Sequence, residues 1–449
     1  MPLPDEPSTR GPAGVLLLQE IRGLLVSPAL WGMFIILSFL VGYSFFQAVD
    51  LFTQASRTAA VYPELAAGMN PLDGIFVPTF GAYYLCQTLL LPFVAIRLIG
   101  LDKQSGALKL LLQLPLSPSA LCGLKLSAMI LVYTAALLPA VSALILWHMM
   151  GGYISFPETA ALLAGHGLYF LMVVTIAMFA GAVSDSLPTA AMLCLAVTLG
   201  SWVLDFAAVG QSGFPGALGS FSPTNMLRQF ENGLPAVTTV AIFLCIALFF
   251  FLLTIIWLHP GRSPRIKLSW SCIALAIVFC LGLSSFLFPG YLDVTENQRH
   301  SFNPADSRAL HTLNKPLTLT IHLDPQDSRL TDLKRNVLAR LRRNVPELKL
   351  IYPKSTSTAA LFAAADDDRY GLIEYSYNGR RDQSYSNSEQ EILGIIYSLA
   401  GLKVIPDPVP VYNGHPLEAQ VSTGSKWWFY CILPALFLCG GLYGRKGKW

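Results

Sequence analysis

Charge is scarce in this chain. Of 449 residues only 13% are Asp, Glu, Lys or Arg and 53% are hydrophobic, with a mean hydropathy of +0.53. A soluble globular protein carries roughly 25% charged residues, so this shortage excludes one and marks a polytopic membrane protein. The net charge of +3 gives no electrostatic case for a nucleic-acid partner. Nucleotide-binding and hydrolytic motifs are missing too. There is no GxxxxGK[ST] loop to cradle phosphates, no HExxH, no GxSxG and no spaced Cys/His set, so neither a catalytic residue nor a metal ligand is expected. The eight cysteines all fall in or beside apolar runs, and none lies in the long polar segment, which argues against a disulfide framework and a Cys-based metal site. The start, MPLPDEPSTRGPAG, lacks a basic n-region and a small-residue cleavage site, so the first apolar run is expected to stay in the mature protein.

What the chain has is apolar length. Eight runs, near 28–50, 77–99, 123–149, 159–183, 188–209, 236–258, 269–289 and 426–443, are long enough to cross roughly 30 Å of hydrocarbon as helices. Pro139 predicts a kink in the third. Residues 1–13 read as disordered, and GVLLLQEIRGLLVSP after them as either an interfacial elbow helix or an extension of the first span. Glu20 and Arg22 lie off its apolar face.

Lys and Arg set the orientation. Lys103, Lys109 and Lys125, then Arg262, Arg265 and Lys267, then Arg445, Lys446 and Lys448 all fall on one side once the N-terminus is placed in the cytoplasm. Residues 290–425, which hold roughly half of the charged residues, then fall outside. The expected fold is an α-helical polytopic membrane protein of about eight transmembrane helices with a small extracytoplasmic α/β domain. Its divisions are 1–27, 28–258, 259–289, 290–425 and 426–449.

In the outer segment, LTLTIHLD (317–324) alternates as a half-buried strand, and Leu330 to Val345 repeats at helical spacing. LKLIYP (348–353) and YGLIEYSYNG (370–379) read as further strands. Ser388 with Glu391 reads as a capping box opening a helix to about Ala400. His322 reads as surface. Asp366-Asp367-Asp368 reads as a hard-cation site or a solvated loop. Arg342-Arg343 and Arg380-Arg381 read as sites for an anionic partner or lipid headgroups, or as plain exposed charge.

The most informative stretch runs from Arg97 to Lys125, RLIGLDKQSGALKLLLQLPLSPSALCGLK. A charged cluster precedes a Leu run that Pro115 and Pro118 stop, so the segment suits an interface or a protein groove better than the bilayer interior. It resembles the first cytoplasmic loop of ABC-2-type transporter permeases. The matching positions are Asp102-Lys103, Ser105-Gly106, Leu110-Leu111-Leu112, Pro115, Ser117 and Lys125. The family usually has Glu at Asp102, Thr at Ala107 and an acidic residue near Lys109.

The resemblance implies that Arg97, Asp102, Lys103, Ser105, Gly106, Leu110, Leu111, Pro115 and Lys125 form a coupling element for a separate ABC ATPase dimer, which would bind ATP and Mg. This chain itself would hold no cofactor. GSFSPTNMLRQFENGLPAV (219–237), with Phe221, Phe230 and Gly233, is similar to the family's outer helices before the sixth span. Asp205, near the outer end of the fifth span, reads either as part of the translocation path or outer gate, or as an interfacial carboxylate reaching headgroup water.

The order of elements in 290–425 resembles the auxiliary subunits of gliding-motility-type ABC transporters, in a reduced copy. Together these resemblances imply the permease subunit of an exporter in a bacterial inner membrane, with both termini cytoplasmic. Its implied partners are an ATPase, a second permease copy, membrane lipids and an envelope or periplasmic protein. The rivals are a membrane-anchored sensor or mechanotransmission protein whose outer domain binds a ligand without solute transport, and a membrane-embedded enzyme.

Overall fold

The structure, a computed structural model, describes residues 12–62, 69–208, 216, 219, 221–287, 290–296, 298–324, 327–353, 369–405 and 416–445. Asp366, Asp367, Asp368, Lys446, Lys448 and residues 1–11 lie outside them. The chain forms two compact units. One is Met1–Asp205, Phe221–Leu292 and Tyr412–Trp449; the other is Phe206–Ser220 with Asp293–Val411.

The first unit is helical. Among the described residues seven helices are long and apolar enough to cross a membrane: Pro28–Val61, Pro118–Met149, Phe156–Val183, Leu187–Ala208, Val237–Leu258, Pro264–Leu287 and Thr423–Gly444. The pair Leu72–Leu89 and Leu91–Ser105, bent by 44°, makes an eighth when taken as one span. Pro92 explains the break, since it has no N–H to carry the helix through Leu90. The third span is interrupted at Leu137, as Pro139 predicts.

A Ser-Pro pair opens four helices, at 27–28, 117–118, 222–223 and 263–264. Proline costs nothing at a helix start, where its missing N–H has no partner to lose. Ser117 and Ser222 also cap, each accepting a bond at 3.1 Å, from Ala120 N and Asn225 N. Pro118 therefore begins a helix, where the sequence reading had it end one.

The first span continues eleven residues beyond its expected end at 50, to Val61. Its extra turns are held by the returning chain. Thr53 Oγ1 donates to Ala419 O at 2.9 Å, Ser56 Oγ accepts Leu417 N at 3.1 Å, and Arg57 pairs with Glu418 at 3.0 Å. Lower down, the last span packs against the first. Phe429 sits against Gly42, Trp31 against Gly440 and Gly441, and Ser38 Oγ donates to Phe429 O at 2.8 Å. A Cβ on Gly42 would stand 2.6 Å from that of Phe429. The last span is thus packed against the first over much of its length, and the seventh packs on the sixth.

These contacts define two ends of the bundle. Helix Pro12–Val26, the loop from Arg97 to Lys125, residues 182–185 and the C-terminal part of the last span meet at one. At the other lie Phe52 against Trp147 and the Thr53–Ala419 bonds. A backbone bridge between Val237 N and Gly290 O (2.9 Å) marks where the chain leaves for the second unit.

The second unit is a four-stranded sheet in the order β2-β1-β3-β4: β1 Leu317–Ile321, β2 Leu348–Ile351, β3 Ile373–Tyr377 and β4 Arg380–Ser384. β1 pairs parallel with β2, while β3 is antiparallel to both β1 and β4. Leu317, Leu319, Ile321, Ile373 and Tyr375 face a core shared with Leu330, Leu333, Leu341, Ile392 and Ile396 from the helices. The turn at Asn378 (φ +50°) and Gly379 (φ +79°) joins β3 to β4. β4 (RRDQS) is polar on both faces, and no hydrophobic alternation announces it. Helix Glu389–Ala400 begins at Ser388, but that side chain makes no cap bond, and Glu391 accepts from Ser384 Oγ instead. The expected capping box is not formed.

Candidate functional site

The Arg97–Lys125 stretch is two short helices, Arg97–Ser105 and Ala107–Leu111. Gly106 divides them at φ +79°, a left-handed conformation that a Cβ penalises. Ser105 Oγ sits at the break, with Ala107 N 3.4 Å away. The charged cluster and the Leu run are therefore a helix, a hinge-like glycine, one more helical turn and the turns of 112–116.

Lys125 sets the root of this loop. Its side chain is 1% exposed, and its Nζ donates to Asp102 Oδ2 at 2.5 Å and Glu20 Oε1 at 2.6 Å. One ammonium thus holds the third span, the loop helix and the N-terminal amphipathic helix together. A buried ammonium is tolerable only when paired, and here two carboxylates share it. Burial pushes the Glu20 carboxyl above the ordinary carboxylate range, and Lys125 draws it back.

The neighbouring Lys103 points the other way. Its Nζ donates to Ala182 O (3.1 Å) and Ser184 O (2.9 Å) and lies 2.9 Å from Asp185 Oδ1. It caps the C-terminal end of Phe156–Val183, where unpaired carbonyls and the helix dipole favour a cation. Asp102 and Lys103, adjacent in sequence, thereby fix the loop to two different parts of the bundle.

The tip differs. Leu108 is buried, and Leu111 and Leu112 pack against the core. Leu110 is 68% exposed and Leu114 41%, with Lys109, Gln113 and Pro115 exposed beside them. Arg97 is half-buried at the start of the loop. So the predicted set separates into two kinds. Asp102, Lys103, Leu111 and Lys125 anchor the loop inside the chain, while Ser105, Leu110 and Pro115 face out. Glu20 completes the anchor; its sequence signal was only a carboxylate off the apolar face of an amphipathic helix.

A second polar constellation sits at the opposite end. The sequence spacing predicts a short amphipathic helix starting at Ser222-Pro223, and it runs Pro223–Glu231. Asp205, only 8% exposed, accepts from Ser222 Oγ at 3.2 Å and pairs with Arg228 Nη2 at 3.1 Å. Phe230 is buried against Gly165, where an added Cβ would approach to 2.5 Å. Thr224 bonds Tyr84 at 2.9 Å, and Gln229 accepts from Thr239 at 2.6 Å. Glu231 Oε1 lies 3.4 Å from Nε2 of the fully buried His166.

Gly233 (φ +68°) follows this helix, and Phe221 is exposed before it, 6.0 Å from the Phe286 ring. Asp205, Phe230 and Gly233 thus belong to one assembly and Phe221 to its rim. Arg228, Glu231 and His166 complete it. His166 went unnoticed in the sequence because nothing within an apolar run distinguishes a paired histidine from a lone one.

A cavity of about 20 Å³ lies beside Tyr83, Gln87 and Tyr133. That is room for a water molecule and for no solute. Elsewhere His322, 17% exposed, lies 3.4 Å from Glu374, and Arg343 Nη2 donates to His300 O at 2.7 Å.

No family model, curated protein or solved structure matches the chain.

Proposed function

We propose that this chain is the membrane subunit of an ABC-2-type exporter in a bacterial inner membrane, driven by a separate ATPase dimer. The observation that carries the reading is the division of labour in the Arg97–Lys125 loop. Its root is locked to three helices through Lys125 and Lys103, and its tip presents Leu110, Leu114 and Pro115 to whatever lies beyond. A lever needs both features: a rigid root to pass motion to the spans, and an apolar tip to seat in a partner's groove.

The run of Lys and Arg in one set of loops favours a cytoplasmic location for both termini and an outer location for residues 290–425, which would engage substrate or an envelope partner.

The test is affinity purification of the tagged protein from its native membrane. An ATPase is expected to co-purify with the wild type and to be lost with Leu110→Glu/Leu114→Glu, while both proteins melt at the same temperature. Retention of the ATPase by that variant, or recovery of none with the wild type, overturns the reading.

A further inference from the structure

We propose that His166 and Glu231 form an internal proton-binding site, and that its protonated state holds helix Pro223–Glu231 against the membrane helices. The inference does not depend on what the protein transports.

His166 is 0% exposed, inside the 28-residue helix Phe156–Val183. Neither ring nitrogen makes a hydrogen bond of good geometry. Its nearest charged neighbour is the Glu231 carboxylate, 3.4 Å from Nε2, with Glu231 itself 14% exposed. Two buried polar groups that face each other without a well-formed bond are an incomplete pair. A proton changes it: imidazole becomes imidazolium, and the 3.4 Å approach of Nε2 to Glu231 becomes an ion pair. An ionisable residue within an apolar span is also where a functional role is first sought.

Among the described residues Glu231 is the charged side chain recorded against the ring. From the second span come the Phe80 ring at 5.1 Å and the Tyr83 ring at 5.7 Å, and Gln87 Nε2 donates to the His166 carbonyl at 3.3 Å. Tyr133 of the third span stands behind Tyr83. The sixth span, Val237–Leu258, contains no Asp, Glu, Lys or Arg, and its one titratable side chain is Cys245. On the ring's own helix the titratable residues nearest in sequence are Glu158 and Tyr169. Arg228, one turn back on the short helix, is taken by Asp205.

The two ion pairs of helix Pro223–Glu231 therefore differ. Arg228–Asp205 joins a guanidinium to a carboxylate, whereas His166–Glu231 is an ion pair only when the imidazole carries a second proton. Proton loss weakens one fastening and leaves the other.

Amide hydrogen exchange across residues 223–231 of the full chain in nanodiscs, at about pH 5.5 and about pH 8 and corrected for intrinsic rates, tests this. Wild type is expected to exchange roughly tenfold faster at the higher pH, the effect of losing one charged contact. Glu231→Gln and His166→Phe are expected to exchange equally at both, with His166→Gln as the second variant if Phe disturbs the fold. Asp205→Asn is expected to exchange faster at both pH values and to keep the ratio. Equal exchange in wild type overturns the proposal, as does a ratio that survives Glu231→Gln and both His166 variants.

Discussion

Lys125 Nζ lies 2.5 Å from Asp102 Oδ2, a residue 23 positions earlier in the chain, and the segment between them carries the exposed Leu110 and Leu114. The pair fixes where that loop leaves the bundle, and Glu20 on the same ammonium brings in the N-terminal helix. Replacing Lys125 with Met leaves two partly buried carboxylates facing each other without their cation. Breaking a buried pair in this way costs about 3–5 kcal/mol. Lys125→Met is expected to lower the melting temperature in detergent sharply, and adding Asp102→Asn and Glu20→Gln to recover most of the loss. A single variant as stable as wild type would show that the triad is not a structural lock.

The Gly106 hinge makes a separate prediction. Its φ is +79°, and a Cβ there meets nothing within 4 Å, so substitution is penalised only through the backbone. Gly106→Ala is expected to cost about 1 kcal/mol and Gly106→Asn less, because Asn tolerates the left-handed region. Thermal melts of the two variants check the order. Equal melting would mean that the loop straightens without penalty.

Much of this fold is legible in the sequence, and the illegible parts share a cause. Apolar length locates the spans, Pro139 locates the irregularity in the third, and Ser222-Pro223 locates a short helix. These are local signals. The extension of the first span to Val61 depends on hydrogen bonds from a chain segment more than 350 residues away. β4 has no apolar face and exists because the Asn378-Gly379 turn folds it onto β3. Asp102 and Lys103 are adjacent in the sequence, which does not reveal that each reaches a different partner inside the bundle. Pairing across distant helices carries no periodicity, so Glu20, Arg228, Glu231 and His166 emerge only in three dimensions.

The joint between the first and last spans rests on size. Gly42 admits Phe429, and a Cβ at 2.6 Å from the Phe429 Cβ has no flexible group to displace. Gly42→Val is expected to destabilise by about 1–3 kcal/mol through overpacking. The effect should shrink when Phe429→Ala vacates the space, although that change alone also destabilises. Thermal unfolding of the two single variants and the double closes the cycle, and strict additivity would deny the contact.

The second unit carries a pH-dependent contact that predicts its acid behaviour. Asp327 accepts from Tyr370 Oη at 2.6 Å, from Arg329 N at 2.8 Å and from Arg329 Nη2 at 3.2 Å. The Tyr370 hydrogen bond, helped by those from Arg329, holds the Asp327 carboxyl below its ordinary range, and the same bond holds the Tyr370 hydroxyl above its own. A depressed carboxyl stabilises the fold at pH above its unfolded value, about 3.9, and loses that contribution as pH falls through the folded value. A raised phenol stabilises below about pH 10 and loses its contribution as pH rises past that. Tyr370→Phe keeps the ring under the Arg329 guanidinium, 5.4 Å from its centroid, and removes only the hydroxyl. In the full-length protein the variant is expected to show faster amide exchange than wild type across residues 328–333 near neutral pH. The two should converge as pH falls from about 3.9 through the lower folded value of Asp327, where its protonation removes the distinction. A difference that persists undiminished in acid would place the effect of the hydroxyl in packing and not in its bond to the carboxylate.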